Sequence, residues 1–138
     1  MFISAKAILK QRVMFVFIIY CFFLLLLTSF KSAGLFLPFL LQFEAMLGGD
    51  KLMHLQLAMI LSLLACLASR EFFVHRSNAL VWQLLLVFLL LSVGLLLDEL
   101  HQYLLSSRHF ELKDTAFGIL GVTIGLFVYS MCAKLKIV

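Results

Sequence analysis

Four apolar stretches, at about residues 13–31, 51–69, 80–104 and 114–133, occupy most of a chain of 138 residues. Bilayer hydrocarbon is about 30 Å thick and an α-helix rises about 1.5 Å per residue, so each stretch is long enough for one crossing. Lipid offers a backbone no hydrogen-bond partner, which restricts spanning segments to helices or a closed barrel. None of the four alternates polar and apolar residues with period two, and uninterrupted apolar runs favour helices. With 64% hydrophobic and 13% charged residues, the chain has too little polar surface to coat a water-soluble domain. The expectation is an all-α, polytopic membrane protein with one four-helix transmembrane domain over residues 1–138.

Lys6, Lys10 and Arg12 precede the first stretch as they would in a signal peptide, with Ser32, Ala33 and Gly34 as the conceivable cleavage region. The apolar run is longer than the ~7–15 residues of a signal core, so it is read as a retained span. An even number of spans places both termini on one side. Lys6, Lys10, Arg12, Arg70, Arg76, Lys134 and Lys136 share that side, against Lys31, Lys51, Arg108 and Lys113 on the other. The excess of Lys and Arg marks the cytoplasmic face, so both termini are expected there. Glu71 is the single inner acid, while Glu44, Asp50, Asp98, Glu99, Glu111 and Asp114 fall at the outer face. The net charge of +4 therefore reflects topology and attraction to anionic inner-leaflet lipid, and no nucleic-acid partner is expected.

The outer connection between the first two spans is apolar, carrying Leu35, Phe36, Leu37, Phe39, Leu40, Leu41, Phe43, Met46 and Leu47. Pro38 suits a helix start and Gly48-Gly49 a helix end, which predicts an interfacial or re-entrant helix on the outer leaflet. The inner connection around Arg70 to Ala79 is a plain basic turn in which His75 is solvated, and Trp82 suits an anchor at headgroup level. Cys21, Cys66 and Cys132 all fall within spans and read as small buried hydrophobes.

The acids at the outer face suggest a site. The third span has no breaker beyond Leu97, so its helix carries Asp98, Glu99, His101 and Gln102. Gln102 then lies near Asp98 and Glu99 at i, i+4 and i, i+3, and His101 lies near Asp98. Asp50 can cap the second span, with Lys51 beside it and His54 one turn on; Asp114 can cap the fourth, after Arg108 and Glu111. Two helix N-termini, with Lys51 and Arg108, attract an anion such as a phosphate headgroup. Asp50 and Asp114 read first as caps, whereas His54 and Glu99 lie inside or at the edge of apolar helices, where an ionisable group is a functional candidate by default. A structural pairing of Glu99 with Arg108 or His54 is the alternative. His54, His101, Asp98 and Glu99 also carry metal-ligand atoms, but no compact motif such as HExxH joins them and no metal is assigned. In the fourth span Gly121 and Gly125 form a GxxxG, suited to close packing against another helix of the chain or against a second copy in a homodimer.

Taken in order, Asp50-Lys51-x-x-His54, Asp98-Glu99-x-x-Gln102, Arg108, Glu111, Asp114, Gly121 and Gly125 resemble the VanZ-like membrane proteins. That family's pattern runs approximately DKxxH, ExxQ and RxxDxxDxxxNxxGxxxG. Glu111 stands at a usual aspartate, Gly118 at the asparagine, and Ala58 where an aromatic is common. The resemblance covers over half the chain and implies a bacterial cytoplasmic-membrane protein acting on or near the envelope, associated with lowered susceptibility to teicoplanin-type glycopeptides.

Three uses of the outer site follow. A catalytic one has Glu99 or His54 as general acid or base on an anionic headgroup, of a phospholipid or a polyprenyl-phosphate-linked precursor, held by Arg108 and Lys51 and oriented by Gln102, with Asp50, Asp98 and Asp114 as further ligand-binding candidates. A binding site uses the same residues without chemistry. In the structural alternative, the cluster staples the helices and the apolar segment from Leu35 to Leu47 docks a larger membrane partner.

Overall fold

The computed structural model describes residues 5–75, 78–103 and 111–135, and every regular element among them is helical. In chain order the helices are α1 (Ala5–Ser32), α2 (Leu37–Met46), α3 (Asp50–Phe73), α4 (Ala79–Tyr103) and α5 (Leu112–Lys134). Four of them, α1, α3, α4 and α5, are long and apolar enough to cross a membrane. The protein is thus an all-α, multi-pass membrane protein.

Two helices overrun their apolar stretches. The α1 helix already begins at Ala5, because Ala, Lys, Gln and Arg are good helix formers and nothing before Val13 breaks the turn. The α3 helix continues through Arg70 and Glu71 to Phe73 for the same reason.

The short helix between α1 and α3 forms where Pro38 and the glycine pair place it. Pro38 sits in the first turn, where its missing N–H costs nothing. Phe36 before it adopts a left-handed φ of 54° and packs its ring edge-on to Phe30, with centroids 5.6 Å apart. At the far end Gly48 and Gly49 take φ values of 92° and 99°, a region that L side chains rarely adopt. That turn lets the Gly49 N–H donate to the Glu44 carbonyl at 2.9 Å and sends the chain straight into α3.

The α3 and α5 helices form the most closely packed pair. Gly121 lies against the Leu55 backbone carbonyl and Gly125 against Ser62 and the Met59 carbonyl, so the two glycines let the helix axes approach. Both glycines are buried in this intrachain seam. The α4 helix packs on both α3 and α5 around a core of Ala58, Cys66, Val87, Val122, Leu126 and Tyr129. The α1 helix, by contrast, packs chiefly along α3, to which Tyr20 donates a hydrogen bond at the Leu57 carbonyl, 3.0 Å away.

At the end of the bundle near Arg70 a polar network joins three helices. Gln83 of α4 donates to the Cys66 carbonyl at 2.6 Å and to Ser69 Oγ at 3.0 Å, and its Oε1 accepts from the Tyr129 hydroxyl at 3.3 Å. A buried amide with its partners satisfied is compatible with a lipid surrounding and fixes the helix register. Hydropathy alone gives Gln83 no role.

Candidate functional site

The other end of the bundle gathers the ends of all four long helices. Four contacts show it. Lys31, in the last turn of α1, donates to Asp50 Oδ1 at the start of α3 (2.6 Å) and to Glu44 Oε2 on α2 (2.9 Å). Lys51 Nζ of α3 lies 3.7 Å from Glu111 Oε2 before α5. Glu99 Oε1 of α4 accepts the Glu111 backbone N–H at 2.9 Å.

Asp50 and Asp114 do not cap their helices as the sequence suggests. Gly49 and Glu111 hold the N-cap positions, neither with a side-chain capping bond, so Asp50 becomes the first residue of α3 and Asp114 the third of α5. The reason is local: the left-handed Gly48-Gly49 turn delivers the chain already oriented for α3, and the Glu99 carboxylate takes the first donor of α5. Both aspartates still lie at positive dipole ends. Freed from capping, they converge with His54. His54 Nε2 is 3.6 Å from Asp50 Oδ1, and ligand atoms of Asp50, His54 and Asp114 all lie within 4.8 Å of one another.

A cleft of about 320 Å³ opens beside this cluster, between α1, α3 and α4. It exists because α1 leans on α3 and leaves its other flank off α4. Leu24, Leu25, Leu57, Leu61, Leu91 and Leu95 make its walls, with Ala58 and Gly94 leaving room. Lys31, His54 and Asp98 line it near the cluster end. The result is an apolar trough closed by polar groups at one end. Gly118 sits behind it: a Cβ there would meet Leu95 Cδ1 at 3.0 Å, so a bare glycine accommodates the leucine wall.

The other candidates divide. Asp98 lines the cleft and is half-buried. Lys51 is more exposed, and its pairing with Glu111 is a surface contact of small energy. Glu99 is 4% exposed, is spent on the Glu111 N–H, and is not among the residues lining the cleft. His101 is exposed. Gln102 falls in the last turn of α4, where its side chain is outside the described part, and Arg108 lies outside the described residues altogether. Two participants were missed in the sequence. Lys31 counts in the sequence only as an outer-side cation at the end of the first apolar stretch, and Glu44 is hidden in the apolar segment that follows. An i+13 spacing of Lys31 and Glu44 across a helix break carries no periodic signal.

The anchoring role of Glu99 has a direct consequence. Glu99→Gln keeps an acceptor oxygen for the Glu111 N–H and is expected to melt near the wild type. Glu99→Leu leaves that donor unpaired, at a cost of about 1–3 kcal/mol. Thermal unfolding of both variants in the same detergent checks this; equal melting of Glu99→Leu and wild type would show that the bond contributes nothing.

In comparisons with known proteins, no family model matches this sequence, and no curated protein and no solved structure matches it.

Proposed function

We propose that the chain is a VanZ-like protein of the bacterial cytoplasmic membrane, with cytoplasmic termini, that binds one membrane amphiphile. The acyl or prenyl chain lies in the lateral cleft and the phosphate-bearing headgroup rests on the outer cluster. The carrying observation is the cleft itself, an apolar trough of about 320 Å³ opening sideways between spans and ending at Lys31, His54 and Asp98. Ligand sites are concave and mostly apolar, of roughly 300–1,000 Å³, with a few convergent polar groups that fix orientation. Lys31 has three N–H donors; Glu44 and Asp50 take two, leaving one for a headgroup oxygen. The order of residues from Asp50 to Gly125 supports the VanZ-like reading, and Ala58, in place of the usual aromatic, keeps the cleft wide. Phospholipids and polyprenyl-phosphate-linked precursors share the required chemistry, and the second would connect the site to glycopeptide susceptibility.

Native mass spectrometry after gentle extraction from bacterial membranes tests this reading with Gly94→Phe. Nothing lies within 4 Å of a Cβ at Gly94, which lines the cleft, so a phenyl group there is expected to occupy the cleft at little cost to the fold. A discrete phosphate-bearing lipid mass on the wild type, absent from folded Gly94→Phe, is the expected result. No discrete mass on the wild type, or one retained by the variant, rules out the cleft as the lipid site and favours docking of a larger partner through the exposed α2 face of Phe36, Phe39 and Met46.

A further inference from the structure

We propose that Asp50, His54 and Asp114 bind one divalent transition-metal ion, of the zinc or manganese class, at the mouth of the cleft. Each residue offers one ligand atom, and the three atoms lie within 4.8 Å of one another. One imidazole nitrogen with two carboxylate oxygens is a mixed donor set, suited to zinc and manganese, whereas calcium and magnesium prefer oxygen throughout. Metal–ligand distances of about 2.0–2.2 Å allow ligands at most ~4.4 Å apart, so the widest pair needs only a small side-chain closure.

A second observation calls for a cation independently. Asp114 is only 7% exposed, and its Oδ1 is buried with no hydrogen-bond partner among the described residues. An unpaired carboxylate oxygen is costly in an apolar surrounding, and more so at membrane depth. His54 also lines the cleft, so an ion bound to it would lie at the cleft's edge. Lys31 now neutralises Asp50 Oδ1 at 2.6 Å, so ammonium and metal compete for one carboxylate.

The site stands without the lipid reading and is tested with metal alone. The full-length protein, stripped with chelator in lipid-free detergent, is titrated calorimetrically with zinc chloride and with manganese chloride. One saturable ion per chain is expected. His54→Asn and Asp114→Asn should each weaken binding at least ~10-fold, as loss of a ligand must exceed the ~10–100-fold cost of losing an outer-shell partner. Lys31→Met should tighten it several-fold by removing the competitor, and His75→Asn, an exposed histidine on the connection after α3, should leave it unchanged. Circular dichroism confirms that each variant is folded. If Asp114→Asn does not fold, the half-buried His54 decides through His54→Asn. Absence of saturable binding for both ions overturns the proposal, as does binding that survives His54→Asn or disappears with His75→Asn.

Discussion

Gly121→Leu is expected to abolish accumulation of folded protein, while Gly94→Phe, a larger change in a similarly apolar helix, should accumulate and melt near the wild type. The difference lies in what a side chain meets. At Gly121 a Cβ runs into the Leu55 backbone carbonyl, and backbone can give way only if the whole of α3 moves from α5. These two helices form the closest pair in the bundle, and α4 rests on both, so separating them undoes the core around Val122 and Leu126. Overpacking in a close-packed interior typically costs about 1–3 kcal/mol and more where backbone must shift, which is a large share of the ~5–15 kcal/mol that holds a domain together. At Gly94 nothing lies within 4 Å. Expression with fluorescence-detected size-exclusion chromatography, followed by thermal unfolding, checks both variants. A monodisperse Gly121→Leu with wild-type stability would mean that α3 and α5 are not in contact through this seam.

Much of this fold is legible in the sequence because membrane insertion reduces to a one-dimensional rule. Length and hydropathy mark the four spans, Pro38 and Gly48-Gly49 delimit α2, and Gly121 with Gly125 announces a close approach. The meeting of Asp50, Asp98, Glu99 and Asp114 at one end follows from an alternating path of spans. What hydropathy does not contain is lateral order. Nothing in the pattern of α1 says that it leans chiefly on α3, so the cleft lined by Leu57, Leu91 and Gly94 is invisible until the helices are packed. Cap positions are similarly hidden. Asp50 and Asp114 are good caps by type, yet the Gly48-Gly49 turn and the Glu99 carboxylate settle the helix starts elsewhere and release both aspartates toward His54. Gln83 is not legible in the sequence because one amide barely lowers the hydropathy of α4, although it bonds to both α3 and α5.

Lys31 makes the polar end depend on a helix that otherwise touches little. The candidate α1 span has no buried residue in its most apolar window, so the rest of the chain covers little of it. Its ammonium nevertheless holds Glu44 of α2 and Asp50 of α3, with side chains 15%, 17% and 31% exposed in the order Lys31, Glu44, Asp50. Breaking a buried pair by removing one partner costs about 3–5 kcal/mol, and an exposed pair about 0–1, so Lys31→Met in this intermediate setting is expected to cost about 2 kcal/mol. Much of that loss is repulsion between two carboxylates left without their shared cation. Glu44→Gln added to Lys31→Met should therefore restore part of the stability, whereas two independent lesions would simply add. A double-mutant cycle on thermal unfolding measures the coupling, and hydrogen exchange on α2 shows whether that helix loosens when the clamp is gone. Unchanged stability in Lys31→Met, with unchanged protection of α2, would show that the lysine does not secure this end. The clamp would then have no part in holding α1 beside the cleft, a task in which the hydrogen bond from the Tyr20 hydroxyl to the Leu57 carbonyl and the apolar contacts along α3 would still share.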